Sequence, residues 1–159
     1  MYKILIGLFL SVLCLQAKCQ IQFDEGSFTK VLAKAKQEKK MVFMDCYTSW
    51  CGPCKMMVQD VFSREDVGQF MNTRFVNVKL DMEKGEGREL AKKYQVKVYP
   101  TFLILNEDGE VIHKMVGGMK AEEFLQHVQN GIGEHSLYSY EKRYANGERD
   151  PQFVYSYIE

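Results

Sequence analysis

Met41-Val-Phe-Met-Asp-Cys-Tyr47 leads directly into Thr48-Ser-Trp-Cys-Gly-Pro-Cys-Lys55, and this stretch decides the fold. The first part is apolar almost throughout, which is typical of a buried strand. The second part holds two cysteines separated by a glycine and a proline, at a point where a helix is predicted to begin. We therefore expect a strand that delivers a pair of sulfur atoms to the start of a helix.

The two cysteines, Cys51 and Cys54, are candidates for redox chemistry. Backbone N–H groups and the positive end of the helix dipole point outward at a helix N-terminus, which favours a thiolate over a thiol at Cys51. The thiolate is the form that attacks disulfides. Cys54 lies one turn further along, close enough to close a small disulfide ring. The spacing predicts a pair that attacks a disulfide and then releases the product.

Asp45 is the one charged residue of the predicted strand. A carboxylate inside an apolar strand costs free energy unless it has a partner or a function. One interpretation is an aspartate near a strand end that reaches water. The other places it beneath the cysteine pair, where it exchanges a proton with Cys54 and makes that sulfur a better nucleophile.

A proline at the start of a predicted strand, Pro100, marks a second candidate element of the site. The apolar run 102–105 follows it, and proline is unusual in such a place. A simple turn would explain it. The sharper interpretation is a cis Tyr99–Pro100 bond that holds the backbone of Tyr99 rigid for a bound peptide.

The rest of the chain alternates predicted helices and strands. The helix that Cys51 opens is predicted to bury one face, formed by Cys54, Met57, Val58, Val61 and Phe62. The charged segment 81–87 predicts a solvated loop. Further helices are predicted around residues 28–35 (capped by Asp24 or Ser27), 63–71, 90–94 and 124–132, and further strands at 21–23, 74–80 and 111–116.

This order of elements, with Trp50-Cys-Gly-Pro-Cys-Lys55 after the first long strand, resembles the thioredoxin family over about residues 23–133. The resemblance implies an α/β thioredoxin fold: a central mixed β-sheet flanked by helices, here with a short C-terminal α-helical extension. It also implies that Cys51 is the attacking thiolate, Cys54 the resolving cysteine and Asp45 the buried proton carrier. Cys51 and Cys54 would then form the redox-active disulfide.

The same resemblance implies a set of substrate-binding residues around the cysteines: Trp50, Gly52, Pro53, Tyr99, Pro100 and Gly117. The Gly-Pro dipeptide is the one found in reducing members of the family. Two positions depart from the family pattern, since Cys46 stands where an aromatic residue is usual and Tyr99 replaces a smaller residue. Lys79 is a candidate for the lysine that neighbours the buried aspartate. These departures leave the reduction potential and the direction of electron flow open. A change of about 30 mV corresponds to only about 1.4 kcal/mol for a two-electron couple, so small structural differences are enough to alter that direction.

Residues 1–19 predict a signal peptide. Lys3 gives a short positive start, the apolar segment 4–15 is too short to span a bilayer, and small residues precede Gln20. Cleavage before Gln20 would give an exported protein, periplasmic or extracellular, without stable membrane insertion. A lipoprotein acylated at Cys19 is the competing interpretation, and the lysine directly before that cysteine argues against it.

Cysteine use after leader cleavage argues against a disulfide-stapled scaffold, because only Cys46, Cys51 and Cys54 remain. The same three sulfurs could instead bind a metal. A closed structural zinc site needs four ligands, however, and the histidines at positions 113, 127 and 135 are scattered along the chain. We therefore predict no metal and no cofactor.

Charge excludes one class of partner. The 21 lysines and arginines balance the 21 aspartates and glutamates, and no basic stripe is present to bind a phosphate backbone. We predict no nucleic-acid partner. The expected partners are client proteins with disulfides and, if the domain reduces them outside the cytoplasm, a membrane protein that supplies electrons.

Two units are predicted after the leader: a thioredoxin-like domain over 20–133 and a helical extension over 134–159. In the extension Leu137, Tyr140 and Tyr144 share one helical face, and Asp150-Pro151 is a typical helix start. The extension is either a helical hairpin packed on the domain or the beginning of a further helical region.

The favoured function is a thiol–disulfide oxidoreductase that reduces disulfides of exported clients through Cys51 and Cys54. A disulfide oxidase or isomerase would use the same residues. Two further hypotheses are a non-catalytic binding module with this fold and a metal site that includes Cys46.

Overall fold

The computed structural model describes residues 20–134 and 136–158. The predicted signal peptide, His135 and Glu159 lie outside the described residues, so the leader stays a prediction. The strands are β1 (Phe23–Asp24), β2 (Met41–Tyr47), β3 (Phe75–Asp81), β4 (Thr101–Leu105) and β5 (Val111–Val116). The helices are α1 (Phe28–Glu38), α2 (Gly52–Met56), α3 (Glu65–Arg74), α4 (Gly87–Lys93), α5 (Ala121–Ile132), α6 (Leu137–Ala145) and α7 (Pro151–Ile158), and α2 continues as a π-helical segment over Met57–Phe62.

The five strands form one mixed sheet in the order β1-β3-β2-β4-β5. The central strand β2 runs parallel to β3 and antiparallel to β4. The last two strands, β4 and β5, pair antiparallel. The sheet and its flanking helices confirm the predicted fold class. Because β2 is covered on both faces and both edges, it gives the cysteine pair a rigid support.

Successive side chains of β2 point to opposite faces of the sheet, and each face has its own core. Phe43 lies on one face, where its ring packs against four other aromatic rings at centroid distances of 5.7 to 6.4 Å: Phe62, Phe75, Phe102 and Phe124. Val42, Met44 and Cys46 lie on the other face, together with buried residues of α1 and α4. Asp45 shares the face of Phe43, so alternation separates it from Cys46.

The start of α1 corrects two predictions. Ser27 occupies the N-cap position, as expected, but its side chain makes no capping hydrogen bond. The backbone N–H of Phe28 donates instead to both carboxylate oxygens of Glu86, at 3.0 and 3.1 Å. A carboxylate is favoured at a helix N-terminus by the free N–H groups and the helix dipole. The loop around Glu86 therefore has a structural role and is not merely solvated.

The predicted buried stripe after Cys51 is wrong at one position. Val58 is 43% exposed, whereas Met57, Val61 and Phe62 are buried. The helix changes to π-helical turns at Met57. A π-helix has a wider turn than an α-helix, so the positions that face the core no longer follow the α-helical spacing.

The C-terminal helices pack on the rest of the chain. Helix α6 lies against α5 and β5. Tyr140 is buried, and its ring centroid is 5.7 Å from that of Phe153 on α7. The carboxylate of Asp150 accepts hydrogen bonds from the N–H groups of Gln152 and Phe153, which confirms the predicted helix start. The predicted domain boundary itself stays a prediction.

Over residues 20–134 and 136–158, none of the helices combines the length and the apolar character that a membrane span requires.

Candidate active site

Cys51 and Cys54 form a disulfide at the point where the chain leaves β2 and enters α2, with an S–S distance of 2.07 Å. Cys51 is the N-cap of α2, and Pro53 lies in the first turn. The backbone N–H of Cys54 donates to the sulfur of Cys51 at 3.1 Å. An N–H donor at a helix N-terminus stabilises negative charge, so the reduced Cys51 sulfur would be favoured as a thiolate.

The sulfur of Cys51 is less accessible than we expected from the sequence. In this oxidised form Cys51 is only 3% exposed and Cys54 only 4% exposed. A bond between two sulfurs removes part of each from solvent, and the N–H of Cys51 also donates inward to the carbonyl of Thr48. Trp50, Gly52 and Pro53 around the pair are exposed. A client would therefore meet these three residues before it reaches the sulfur.

Asp45 lies buried beneath the pair, with 2% of its surface exposed. Among the described residues, its Oδ1 has no hydrogen-bond partner. Burial raises the pKa of Asp45 to about 7, and the positive charge of Lys79 opposes this rise. The interpretation of Asp45 as a strand-end aspartate that reaches bulk solvent is wrong, because the residue is almost completely buried. A carboxyl group with a pKa near neutrality can both accept and return a proton.

A cavity of about 230 Å³ joins this carboxyl to the second cysteine. Asp45, Cys54 and Lys79 all contribute to its lining, together with Tyr47, Thr48, Ser49, Lys55, Val58 and Gln59. The volume leaves room for several water molecules. Because Lys79 is exposed, the cavity opens toward the surface on that side, while the buried Asp45 and Cys54 lie in its inner wall.

Two further loops meet the cysteine loop. The Tyr99–Pro100 bond is cis, which confirms the prediction from the sequence. The N–H of Gly117 donates to the carbonyl of Pro100 at 2.9 Å, and Gly117 has a φ of 93°. Gly118 lies against Pro53, since a Cβ placed on it would be 3.5 Å from the Cβ of Pro53. The fold thus brings the predicted binding residues of all three loops together.

The surface around the pair is apolar. Trp50 is 65% exposed, and Val98 and Val116 are each 52% exposed. The ring of Tyr99 meets the indole of Trp50 edge to face, with centroids 6.0 Å apart. Pro100 is buried, so it contributes little surface of its own. Within the described residues, the backbone N–H and C=O of Tyr99 take part in no hydrogen bond.

One residue of the site was missed in the sequence. Glu83 accepts a hydrogen bond from the indole N–H of Trp50 at 2.9 Å. We expected its loop to be merely solvated. The two residues are 33 positions apart, so no periodicity or local motif connects them. Only the pairing of β2 with β3 brings the loop after one strand next to the loop after the other.

Cys46 does not join the site. It is fully buried on the opposite face of β2, and burial, followed by the charge of Asp45, raises the pKa of its thiol. The metal-site hypothesis therefore lacks its third sulfur. In the part of the chain that the structure describes, no group of three side chains of the types that bind metals converges.

Comparison with known proteins identifies relatives of this chain. A family model for a thioredoxin-like domain matches residues 28–132. The solution structure of a candidate disulphide-isomerase from Bacteroides thetaiotaomicron is 49% identical, with a TM-score of 0.66, and the match covers 71% of this chain and 93% of that one. A thioredoxin-like protein of Synechocystis is 34% identical over 104 residues, which is 65% of this chain and 90% of that protein. Chloroplastic thioredoxin Y of Oryza sativa is 28% identical over 116 residues, and the match spans 73% of this chain but only 66% of the rice protein.

Proposed function

We propose that this chain, which belongs to the thioredoxin-like family of thiol–disulfide oxidoreductases, reduces disulfides in exported client proteins through Cys51 and Cys54. One observation carries the proposal. The cavity that Cys54 lines also contains Asp45, a buried carboxyl group whose pKa is raised to about 7. A passive binding module has no need of a proton acceptor behind its second cysteine.

The first step is attack on the client disulfide. The thiolate of Cys51 attacks one client sulfur, a new bond joins Cys51 to that sulfur, and the other client sulfur leaves as a thiolate that takes a proton from water. The Cys54 N–H beside the Cys51 sulfur and the N-terminus of α2 favour the attacking thiolate. Exposed Trp50 and the free backbone of Tyr99 would hold the client chain during this step.

The second step releases the client. Asp45 accepts the proton of the Cys54 thiol, and the Cys54 thiolate attacks the sulfur of Cys51. The bond between Cys51 and the client breaks, the Cys51–Cys54 disulfide forms, and the second client sulfur leaves as a thiolate. Two electrons have then passed from the protein to the client. The oxidised pair in the structure corresponds to this end state.

We propose further that the protein works outside the cytoplasm. The support is the leader-like sequence of residues 1–19, with cleavage before Gln20. A reductase in that compartment needs a membrane protein to return its pair to the dithiol form. Sequencing the N-terminus of the mature protein tests this point: a start at Gln20 supports it, and a lipid on Cys19 would favour the lipoprotein interpretation.

The test of the activity is reduction of insulin disulfides with a chemical reductant as electron source. Cys51→Ser is expected to lose the activity, and Cys54→Ser to accumulate a mixed disulfide that a non-reducing gel detects. Cys46→Ala is the matched control, because that sulfur lies on the other face of the sheet. Full activity of Cys51→Ser would refute the proposal.

A disulfide isomerase is the second candidate, favoured by the likeness to the candidate disulphide-isomerase of Bacteroides thetaiotaomicron. The two functions differ in reduction potential, since a strongly reducing pair serves reduction and a more oxidising pair serves isomerisation or oxidation. Equilibration of the Cys51–Cys54 pair with glutathione separates them.

A further inference from the structure

We propose that Glu83 is a positioning residue: its carboxylate holds the indole of Trp50 against the ring of Tyr99, so that the apolar surface beside the cysteine pair is formed before a client binds. The proposal rests on the function proposed above. Three residues from three different segments make this contact, which we call the Trp50 bracket: Trp50, Glu83 and Tyr99. The indole N–H lies 2.9 Å from Oε2 of Glu83, and the indole meets Tyr99 at an interplanar angle of 84°.

The Trp50 bracket lies beside the path by which a client would reach the sulfur of Cys51. Trp50 directly precedes Cys51, and Tyr99 directly precedes the cis Pro100. Because Cys51 is only 3% exposed, a client reaches its sulfur across the side chains beside it. Trp50 is 65% exposed, so burial does little to hold its ring, and the hydrogen bond to Glu83 and the edge contact with Tyr99 are contacts that orient the indole.

The backbone around Glu83 is itself held firmly. The N–H of Glu83 donates to Oδ1 of Asp81 at 3.0 Å, and its carbonyl accepts a hydrogen bond from Arg88 at 2.6 Å. Gly87 approaches the carbonyl of Asp81 so closely that a Cβ on it would lie 2.1 Å from that oxygen. These contacts hold the backbone at Glu83, the point from which its carboxylate reaches the indole.

Charge supports the same assignment. Burial raises the pKa of Tyr99, and the negative charge of Glu83 raises it further. Glu83 lies outside the ion pairs found among the described residues, so its carboxylate is available to the indole. When the side chains that contact a client are already ordered, less free energy is lost in ordering them on binding.

The test uses the fact that Trp50 is the only tryptophan of the chain, so that fluorescence anisotropy reports on this side chain alone. Glu83→Ala is expected to lower the anisotropy of Trp50 and to raise the KM for insulin by about two- to tenfold, the population change that one net hydrogen bond produces, with kcat little changed. Glu83→Gln keeps an acceptor oxygen and is expected to restore both values. Glu89→Gln, an exposed residue paired with Lys92, is the control for surface charge.

Each outcome decides a different point. Unchanged anisotropy in Glu83→Ala would overturn the proposal, because the indole would then be held by other contacts. A Glu83→Gln variant as defective as Glu83→Ala would also overturn it, because charge and not the hydrogen bond would be responsible. If the wild-type protein reduced no insulin, the proposed function would fail, while the anisotropy of the three variants would still decide whether the bracket exists.

Discussion

Asp45 and Lys79 lie directly opposite each other on the parallel strands β2 and β3, and both line the cavity that contains Cys54. The buried carboxyl group thus has a cationic neighbour at the surface end of the cavity. Burial raises the pKa of Asp45 to about 7, and the positive charge of Lys79 limits the rise. Lys79 was a candidate for this role from the sequence, and the strand register supplies its position.

The stability of the protein should depend on pH through Asp45. Its pKa is raised in the folded state to about 7, against about 3.9 in an unfolded chain, so between these values the folded state binds a proton that the unfolded state lacks. The free energy of unfolding therefore falls as pH rises through this window. Asp45→Asn removes this titration. We expect the variant to have a higher free energy of unfolding than the wild type at pH 8, by on the order of 1.4 kcal/mol for each unit by which folding raises the pKa of Asp45. At pH 4 we expect little difference.

Urea unfolding of the oxidised protein at the two pH values measures this difference. Asp66→Asn is the control: the hydrogen bond from Arg64 lowers the pKa of Asp66, so this carboxylate stays ionised in the folded protein at both pH values and its substitution should change the stability nearly equally at pH 8 and pH 4. A gain for Asp45→Asn that is equal at both pH values would show that Asp45 does not titrate in this window.

Lys79→Met should shift the pH dependence of client release. Loss of the positive charge removes a favourable interaction with the Asp45 carboxylate, so the pKa of Asp45 rises further. We expect the pH midpoint of mixed-disulfide decay, followed by stopped flow, to move upward. Lys92→Met on α4 should leave it in place, and a downward shift in Lys79→Met would contradict the assignment of Lys79.

Gly117→Ala should destabilise the third loop of the site. Gly117 has a φ of 93°, a conformation that costs an L-residue about 1–2 kcal/mol. Space is no obstacle, because no atom lies within 4 Å of a Cβ placed there. Gly118→Ala is the matched control, since its Cβ would make only ordinary contact with Pro53. Equal urea midpoints for the two variants would show that the loop adapts without strain.

Cys46 should be unreactive in the folded protein. It is fully buried, and burial followed by the charge of Asp45 raises the pKa of its thiol, so almost no thiolate forms at neutral pH. Iodoacetamide is expected to leave Cys46 unmodified in the native protein and to modify it in urea, as peptide mass spectrometry will record. Rapid native labelling would place this sulfur in contact with solvent and reopen the question of its role.

The C-terminal helices should contribute to the stability of the domain. Phe153 is only 4% exposed and packs on Tyr140, whereas Leu137 is 63% exposed. We expect Phe153→Ala to lower the free energy of unfolding by about 3 kcal/mol, as for a buried phenylalanine, and Leu137→Ala to change it little. If Phe153→Ala left the unfolding curve of the domain unchanged, the extension would fold as a separate unit.

Local predictions succeeded where a residue's environment follows from its near neighbours. Strand β2 begins and ends at the residues that the sequence indicates, because a stretch that is apolar at every position but Asp45 has few ways to be buried. The prediction that Val58 is buried was wrong because the helix changes to π-helical turns at Met57, a local change that the sequence does not indicate. The prediction that the loop containing Glu83 and Glu86 is merely solvated was wrong for a different reason. The hydrogen-bond partners of these two residues, Trp50 and Phe28, lie far away in the chain.

The sequence by itself determined the kind of chemistry and the fold class. A cysteine pair at the start of a helix, a carboxylate in the preceding strand and a proline before a later strand limit the possibilities severely, because each is costly or unusual without a function. Tertiary structure alone decided how these groups act together. The cavity shared by Asp45, Cys54 and Lys79 and the bracket around Trp50 arise from strand pairing between distant segments. Burial, distance and charge in three dimensions set a pKa or orient an indole, and no order of residues along the chain contains them.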